Sequence, residues 1–435
     1  MFAKSLIPAL LLAAALPQPA FAALSAAEKK MAAMVDAEQA RSIALLEKLV
    51  NVNSGTMNLA GVEQVGRMMR TELEPLGFDV RWIPMGETKR AGHIVATHKG
   101  NGKGRKLLLI GHLDTVFEQH SPFQTFVRKG DRAEGPGVGD DKGGMVVMLA
   151  ALRAMQAAGT LAPADIEVVL TGDEERSGDP VEIARADLVA AGKRADVALD
   201  FEGLVRDGGR DMGSIARRSS YSWTLTATGR TGHSSLIFDA DHGDGAIYEI
   251  ARIIAAFRKE LPEPNLTFNV GLIGGGATAI IDPDGARVTA TGKTNIIPET
   301  AIAKGDFRTL TDEQTLRVRQ KMERIVAAHA PGTDAGIAFE EGYPPMAPTA
   351  GNRAILARLN GVNRDMGLPE MPELDPLKRG AGDISFVAKD VDGLAGLGPY
   401  SEGDHAPGET VDLPSIATQA KRAAILMSRL SREAP

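Results

Sequence analysis

The sequence predicts an α/β fold, and three observations support this prediction. Short apolar segments alternate along the chain with segments whose apolar residues recur at helical spacing. Residues 107–110 are four consecutive apolar residues, as in a strand buried on both faces of a parallel sheet. Histidine or acidic residues directly follow several predicted strands. Because the carboxyl ends of parallel strands meet at one edge of an open sheet, we expect the functional site in a crevice there.

The first part of the chain contains most of this alternation. Its predicted helices cover 26–50, 61–73, 145–158 and 181–191, and its predicted strands cover 78–83, 93–97, 106–111, 166–171 and 196–200. Residues 126–134 are predicted to form a hairpin. A glycine-rich loop, residues 135–144, leads into the third helix. We expect a last helix at 414–430.

The composition is that of a globular chain without cysteine. The 435 residues carry a net charge of -7, and 43% of them are hydrophobic. This length suggests two domains, or one domain with a large insertion. The acidic balance, and the lack of a Lys/Arg run with interleaved aromatic residues, argue against nucleic-acid binding. Without cysteine, any metal must be held by His, Asp and Glu.

Residues 1–22 have the pattern of a signal peptide. Lys4 supplies the positive charge, residues 6–16 form an apolar stretch too short to span a bilayer, and Ala20-Phe21-Ala22 is a cleavage site of the A-x-A type. We therefore expect cleavage near Ala22/Ala23. The product is expected to be periplasmic or secreted, without a membrane anchor.

Candidate metal ligands follow three of the predicted strands. His112 and Asp114 follow the strand at 106–111 and lie on the same face of the chain. The Asp114 carboxylate is then placed to accept a hydrogen bond from one ring nitrogen of His112, which leaves the other nitrogen for a metal. Acidic pairs or single acids occur at 140–141, at 174–175, at Asp200 and at Glu202. Such oxygen and nitrogen ligands suit zinc, and also manganese or cobalt.

Four motifs, in order, give the chain a resemblance to a known family. They are Gly-His-Leu-Asp-Thr-Val at 111–116, Gly-Pro-Gly-Val-Gly-Asp-Asp-Lys-Gly-Gly at 135–144, Thr-Gly-Asp-Glu-Glu at 171–175 and Phe-Glu-Gly at 201–203. With them the chain resembles the M20 dinuclear zinc metallopeptidases, and among these the glutamate carboxypeptidase (carboxypeptidase G) branch. The resemblance implies a zinc-peptidase-like catalytic domain with a mixed, mostly parallel sheet between helices.

The resemblance also implies the roles of the site residues. Two zinc ions per subunit, or manganese or cobalt as substitutes, would be held by His112, Asp140, Glu175, Glu202 and His405, with Asp140 bridging them. Asp200 competes with Glu202 for the terminal position because it too lies near the strand end. Glu174 is implied as the general base, with Asp114 orienting His112. Gly403-Asp404 replaces the aromatic residue usual before the last histidine, so we expect a different local pocket there.

The resemblance makes the middle of the chain a lid and dimerisation domain. The expected boundaries are 23–212 and 347–435 for the catalytic domain and 213–346 for the insertion, which is predicted as a four-stranded antiparallel sheet with two helices on one face. His233 is implied to reach the partner's active site in a homodimer, and Asn295 and Arg308 to contact substrate. Residues 277–291 are predicted to be an added hairpin. The doublet Arg217-Arg218 is either a further carboxylate contact or a solvated hinge.

Together these features predict an exported, metal-dependent carboxypeptidase that hydrolyses an amide bond. A metal-bridging water and the Glu174 base would release a C-terminal, glutamate-like amino acid from a small peptide or N-acyl donor. An N-acyl-amino-acid deacylase or dipeptidase on the same scaffold is the alternative. A non-catalytic periplasmic binding protein is a third hypothesis, which the intact Glu174 argues against.

Overall fold

The computed structural model describes residues 23–283 and 285–434. The predicted signal peptide, residues 1–22, lies outside the described residues. Within the described part of the chain, none of the helices combines the length and apolar character needed to cross a membrane.

Ten helices are described, and one of them, Ala350–Asp365, is not predicted from the sequence. They are α1 (Ala26–Ala37), α2 (Gln39–Val50), α3 (Leu59–Leu73), α4 (Lys142–Ala158), α5 (Val181–Ala184), α6 (Ala186–Gly192), α7 (Ala246–Glu260), α8 (Asp312–Val326), α9 (Ala350–Asp365) and α10 (Leu413–Leu430).

The strands that build the two larger sheets alternate with these helices, and shorter strands form hairpins and edges. They are β1 (Asp79–Pro84), β2 (Gly92–His98), β3 (Leu107–His112), β4 (Val127–Lys129), β5 (Arg132–Glu134), β6 (Ile166–Thr171), β7 (Val197–Asp200), β8 (Arg206–Asp207), β9 (Arg210–Asp211), β10 (Ser220–Gly229), β11 (Thr267–Gly276), β12 (Thr278–Ile281), β13 (Val288–Thr291), β14 (Thr300–Arg308), β15 (Thr333–Tyr343), β16 (Gly393–Leu394), β17 (Ser401–Glu402) and β18 (Thr410–Asp412).

Two predicted helices are each divided in the structure. The segment 26–50 breaks at Glu38, between α1 and α2. The segment 181–191 breaks at Arg185, between α5 and α6. The guanidinium of Arg185 is buried and bonded to Asp173 and Asp383. Helical periodicity does not reveal this second break, because the partners of Arg185 lie elsewhere in the chain.

The first unit is built on a six-stranded mixed sheet in the order β1-β2-β6-β3-β7-β16. The strands β6, β3, β7 and β16 are mutually parallel, and β1 and β2 add an antiparallel edge. All six residues of β3 are buried. Leu107 and Leu109 face one hydrophobic cluster, and Leu108 and Ile110 face another. The predicted mixed, mostly parallel sheet between helices is therefore confirmed.

Helices cover both faces of this sheet. Helix α4 is buried along nearly its whole length, and it packs against α1 and α10 in the larger cluster. Burying one Leu or Ile side chain contributes roughly 1.5–3 kcal/mol, so this layer is a major source of stability. A smaller antiparallel sheet, in the order β17-β18-β5-β4, lies beside the edge where the site forms.

The second unit is a separate α+β structure whose elements run from Ser220 to Tyr343. Its sheet is antiparallel in the order β11-β14-β10-β15. Helices α7 and α8 pack with one face of this sheet around the buried side chains Trp223, Phe257 and Met322. The predicted four-stranded sheet with two helices is confirmed, and we call residues 220–343 the inserted unit.

The predicted extra hairpin is present as β12 and β13, which pair from Thr278 to Thr291. It folds over the inserted unit's sheet. A side chain at Gly274 of β11 would come within 2.4 Å of Val288 in the hairpin, and one at Gly285 within 2.8 Å of Lys304. The hairpin therefore packs on the sheet face opposite α7 and α8.

Candidate metal centre

Three neighbouring parallel strands bring the predicted ligands to one edge of the first sheet. Strand β3 lies between β6 and β7, and His112 is its last residue. Glu174 and Glu175 follow shortly after the end of β6, and Glu202 follows two residues after the end of β7. The predicted location of the site, at the carboxyl ends of the strands, agrees with this arrangement.

Four of the five predicted metal ligands meet at this edge. The Asp140 carboxylate lies between two histidines: Oδ1 is 3.0 Å from Nε2 of His112, and Oδ2 is 3.0 Å from Nε2 of His405. Nε2 of His405 is also 3.2 Å from Oε2 of Glu175. Ligand atoms of His112, Asp140 and Glu175 all lie within 4.8 Å of one another. We call these four residues the metal cluster.

The metal cluster has the properties that a divalent cation requires. Oε1 of Glu175 is buried and has no hydrogen-bond partner among the described residues. A buried carboxylate oxygen without a partner is costly unless a bound group satisfies it. Imidazole nitrogens and carboxylate oxygens are also ligands that suit zinc, manganese and cobalt. The residues present therefore fit a metal ion.

The fifth predicted ligand, Glu202, is held by arginines in this structure. Its Oε2 is 2.6 Å from Nη1 of Arg217 and 3.2 Å from Nη2 of Arg379. Its Oε1 is buried without a partner among the described residues. The competing Asp200 instead accepts bonds at both oxygens, from Arg217 at 3.1 Å and from the Glu202 amide at 3.4 Å. Of these two acids, Glu202 is therefore the one with a carboxylate oxygen that lacks a hydrogen-bond partner among the described residues.

The loop that carries Asp140 is held by a buried carboxylate. Both oxygens of Glu409 accept backbone N–H bonds, from Gly137 at 2.9 Å, Gly139 at 2.8 Å and Asp140 at 3.0 Å. The Asp140-Asp141 peptide is cis. Sequence reasoning did not assign this role to Glu409. Its position four residues after His405 was the available signal, but the partner loop lies about 270 residues earlier.

Asp114 differs in part from its predicted role. Nδ1 of His112 lies 3.1 Å from the main-chain carbonyl oxygen of Asp114 and 3.4 Å from its carboxylate. The carboxylate accepts shorter bonds from the Thr56 hydroxyl, at 2.6 Å, and from the amides of Glu174 and Glu175, at 3.0 and 3.2 Å. Asp114 thus orients His112 mainly through its backbone and holds the two glutamates through its side chain.

Buried negative charge dominates the electrostatics of the site. Burial raises the pKa of Glu174 well above its ordinary range, and the carboxylates of Glu202 and Glu175 add to this effect. Burial and the neighbouring Asp140 raise the pKa of Glu175 to about 7. Hydrogen bonds to Asp140 and Glu175 raise the pKa of His405 to about 11. Such a cluster of acids favours a bound cation.

Comparison with known families decides the classification. The profile of peptidase family M20/M25/M40 matches residues 108–429, which is most of the chain. The chain belongs to this peptidase family. It is therefore an enzyme of the metallopeptidase and amidohydrolase type.

Individual relatives agree with this classification at low identity. The chain is 27% identical over 406 residues to carboxypeptidase G2 from Pseudomonas sp. (strain RS-16), with 90% of each protein covered. It is 25% identical over 400 residues to a succinyl-diaminopimelate desuccinylase from Variovorax paradoxus (strain S110), with 87% of this chain and 95% of the relative covered. A dinuclear metal-binding M20 peptidase from Bacillus subtilis has the same fold, with a TM-score of 0.63 and 15% identity over 91% of this chain and 99% of that one.

The inserted unit of this M20 peptidase carries the three remaining predicted site residues. His233 is exposed, and its Nδ1 lies 2.8 Å from the Ser235 hydroxyl. The backbone oxygen of Asn295 accepts a bond from the amide of Ser234 at 3.0 Å, so His233 and Asn295 belong to one local structure. These contacts lie within the inserted unit and do not join it to the metal cluster.

Arg308 lies closer to the first unit. It ends β14, and a side chain added at Gly380 would come within 3.6 Å of its Nη1. Gly380 adjoins Arg379, one of the two arginines on Glu202. The pair that Arg308 makes with Asp306 is long, at 3.4 Å. The structure thus places Arg308 next to Gly380, at the boundary of the two units.

Two further residues of the M20 peptidase were missed or left open by sequence reasoning. Arg217 is 3% exposed, so it is not the solvated hinge that was one of the two alternatives. It contacts carboxylates of the protein itself, Asp200 and Glu202. Arg379 was not considered at all. Arg379 lies 177 residues from Glu202 in sequence, and no local pattern predicts its contact.

Proposed function

We propose that the chain is an exported, metal-dependent carboxypeptidase that hydrolyses an amide bond and releases a C-terminal, glutamate-like amino acid. The observation that carries this proposal is the convergence of His112, Asp140, Glu175 and His405 beside Glu174. The similarity to carboxypeptidase G2 along nearly the whole of both chains supports the carboxypeptidase assignment. Export is proposed from the signal-like residues 1–22.

We infer two divalent ions per subunit, most simply zinc. His112, Asp140 and Glu202 would hold one, and Asp140, Glu175 and His405 would hold the other. The Bacillus subtilis fold relative is described as dinuclear, and the two-sided position of Asp140 suits a bridging ligand. When bound, such ions supply Lewis acidity, which lowers the pKa of water and polarises a carbonyl group.

Glu174 is the proposed general base. It takes a proton from the attacking water, whose oxygen then forms a bond to the scissile carbonyl carbon. Glu174 returns this proton to the amide nitrogen as the carbon–nitrogen bond breaks, so the products are a carboxylic acid and a free amine.

A homodimer would complete the site. We propose that His233 reaches the partner's active site and stabilises the oxyanion, since its own contacts lie away from the metal cluster. The inserted unit offers a surface for such pairing: β11 is an edge strand of its sheet, and Ile273, Phe238 and Tyr248 are exposed large apolar side chains of the same unit. Exposed apolar patches and free strand edges commonly mark interaction sites.

Arg308 and Asn295 are proposed to bind the terminal carboxylate of the substrate. A guanidinium forms paired hydrogen bonds with a carboxylate, and Arg308 lies at the boundary of the two units beside Gly380. An acidic side chain on the released residue fits the further positive charge of Arg218, which bonds to Thr267 and lies near Arg308.

An N-acyl-amino-acid deacylase or dipeptidase is the second candidate. It is favoured by the similarity to a desuccinylase, which covers almost as much of the chain as the similarity to carboxypeptidase G2 does. Both candidates use the same site and the same chemistry. They differ in which side of the amide bond the enzyme selects.

The decisive experiment combines metal analysis with a substrate panel. The purified protein without residues 1–22 is analysed for zinc and tested on N-acyl amino acids varied on either side of the amide, before and after chelation. Glu174→Gln is the matched control: it should keep the metal and lose about 10²- to 10⁴-fold in rate.

The outcomes separate the hypotheses. About two zinc ions per chain with chelator-sensitive release of glutamate, largely independent of the acyl group, supports the carboxypeptidase. Selectivity for the acyl group with any amino acid supports the deacylase. Metal without turnover of any amide indicates a binding protein, and a protein without metal refutes the proposed ligand set.

A further inference from the structure

Two short segments connect the inserted unit to the first unit, and they pair with each other. The backbones of Arg217 and Met346 exchange two hydrogen bonds, of 3.0 and 2.9 Å, and Ser220 pairs with Tyr343. Each segment extends one long side chain into the active site. Arg217 reaches Glu202, and Tyr343 reaches the main chain of Glu174.

The Tyr343 hydroxyl uses its whole hydrogen-bonding capacity at this point. It donates to the carbonyl oxygen of Glu174 at 2.6 Å. It accepts from Nη2 of Arg185 at 2.8 Å and from the Ser177 hydroxyl at 3.1 Å. One donated and two accepted bonds are the most that a phenol hydroxyl makes. The hydroxyl therefore bonds to two residues of the segment 172–178, which we call the Glu174 loop.

A buried ionic frame fixes the far side of this contact. Arg185 is 1% exposed and donates to Asp173 at 2.5 Å and to Asp383 at 2.8 Å. Asp383 in turn accepts from the Thr171 hydroxyl at the end of β6. Buried, fully bonded networks of this kind are rigid. The frame thus holds the Glu174 loop to the first unit, and Tyr343 is the residue of the inserted unit that is bonded to it.

The ring of Tyr343 is also held. It packs against Phe386, with ring centroids 4.9 Å apart and an interplanar angle of 61°. Because Tyr343 is the last residue of β15, its backbone moves with the inserted unit. A change in the orientation of that unit is then transmitted to the carbonyl of Glu174 through a rigid side chain.

We propose that Tyr343 is a positioning residue that couples the orientation of the inserted unit to the placement of Glu174. The inference rests on the proposed function, in which Glu174 is the general base. Tyr343 takes part in no chemical step, because its hydroxyl contacts the main-chain carbonyl of Glu174 and not the carboxylate. Misplacement of a reacting group by about 1 Å typically costs on the order of a hundred-fold in rate.

The test is Tyr343→Phe in the full, metal-loaded enzyme. We expect kcat to fall roughly 10- to 100-fold, with KM and metal content unchanged, because only the position of the base is altered. Tyr221→Phe is the matched control, since it removes a phenol hydroxyl from the neighbouring strand β10 of the same sheet. It should leave kcat unchanged.

Two further measurements separate positioning from a general structural role. In a Glu174→Gln background, Tyr343→Phe should cause no additional loss of rate. Hydrogen exchange should increase in the peptide that contains the Glu174 loop and stay constant in β10 and β14. Ser177→Ala removes one of the three hydrogen bonds of the Tyr343 hydroxyl and should cause a smaller increase in hydrogen exchange of the Glu174 loop. This variant tests the proposal if Tyr343→Phe does not fold.

Three results would each overturn the proposal. Tyr343→Phe could keep full activity, or it could lower the rate equally in the unmodified and the Glu174→Gln backgrounds. Hydrogen exchange in the Glu174 loop could also stay unchanged. Hydrogen exchange needs no substrate. An enzyme that hydrolyses nothing in the panel would therefore refute the proposed function, while the exchange experiment would still decide whether Tyr343 holds the loop.

Discussion

The two ends of the candidate metal centre are built in different ways. At one end, Nε2 of His405 lies 3.0 Å from the Asp140 carboxylate and 3.2 Å from the Glu175 carboxylate. At the other end, Glu202 and Asp200 share the guanidinium of Arg217, and Arg379 adds a second cation to Glu202. The carboxylates of the first end pair with histidines, which can lose a proton and bind a metal, whereas those of the second end pair with two arginines, which keep their charge.

This difference has a physical origin in how each end is supported. Backbone amides hold the first end, through Glu409 on the Asp140 loop and Asp114 on the Glu174 loop. Side chains hold the second end, and one of them, Arg217, belongs to the connection with the inserted unit. We therefore expect the first end to bind metal as a preformed site. The second end must exchange an arginine contact for a metal contact.

The largest expected effect, on metal content and hydrolysis rate, comes from replacing Asp140, which both ends of the metal centre share. Asp140→Asn keeps the shape of the side chain but removes the charge between the two histidines. Loss of metal from both positions should lower the hydrolysis rate at least about a thousand-fold, since metal catalysis contributes several kcal/mol. Elemental analysis and rate measurement on the same sample check this. Asp334→Asn, at an exposed position, is the control, and a variant that keeps two zinc ions would contradict the bridging role.

Replacing Arg217 tests the second end directly. Arg217→Met removes the guanidinium that Asp200 and Glu202 share, and breaking a buried ion pair in this way costs about 3–5 kcal/mol in the free energy of unfolding. Zinc should restore part of this loss by taking the place of the guanidinium at Glu202. Urea unfolding with and without zinc measures both quantities.

The neighbouring Arg218→Met is the control for that experiment. Arg218 bonds to Thr267 and to a backbone carbonyl, so its replacement should cost stability by an amount that zinc does not change. If zinc left the cost of Arg217→Met unaltered, Glu202 would not be a metal ligand.

A smaller effect, on metal affinity, is expected from replacing Glu409, which holds the Asp140 loop at the first end. Glu409→Gln leaves a single oxygen acceptor for three backbone N–H groups, so the Asp140 loop should become less ordered. Metal affinity should fall roughly 10- to 100-fold, as for other residues that orient metal ligands. Competition with a fluorescent zinc chelator measures this. Unchanged affinity would show that the loop keeps its shape without Glu409.

The smallest effect concerns an arginine-held carboxylate far from the metal cluster. Burial opposes ionisation of Glu28, but hydrogen bonds from Arg429 and Ser25 outweigh it and lower the pKa of Glu28 to about 2. Its stabilising contribution is thus fully present above about pH 4.5 and is lost as the pH falls towards 2.

Glu28→Gln should therefore reduce stability at neutral pH by roughly 1 kcal/mol, because water partly screens the pair. The difference from the unmodified protein should vanish near pH 2. Urea unfolding across this range measures the difference, which zinc should not affect. A difference that is constant with pH would show that the Glu28 pair does not titrate as described.

Much of the site was predictable because its residues follow local rules. Strand β3 is an apolar run that ends in His112, and β6 ends just before Glu174 and Glu175, so their shared edge follows from the parallel arrangement. The glycines of the Asp140 loop also have a local purpose: a side chain at Gly144 would come within 2.0 Å of Asp141 and of the Phe201 carbonyl. The family motifs added the order of the ligands.

The sequence by itself determined the fold class, the inserted unit with its extra hairpin, and the strand ends that carry the candidate ligands. Periodicity and short-range motifs encode these features within single segments. Only the tertiary structure decided that arginines hold Glu202, that Glu409 supports the Asp140 loop and that Tyr343 reaches the main chain of Glu174. These contacts join residues more than 160 positions apart for Arg379, Glu409 and Tyr343. Packing within the first unit brings Arg379 and Glu409 to their partners, and packing of the two units brings Tyr343 to Glu174. No local sequence pattern predicts these contacts.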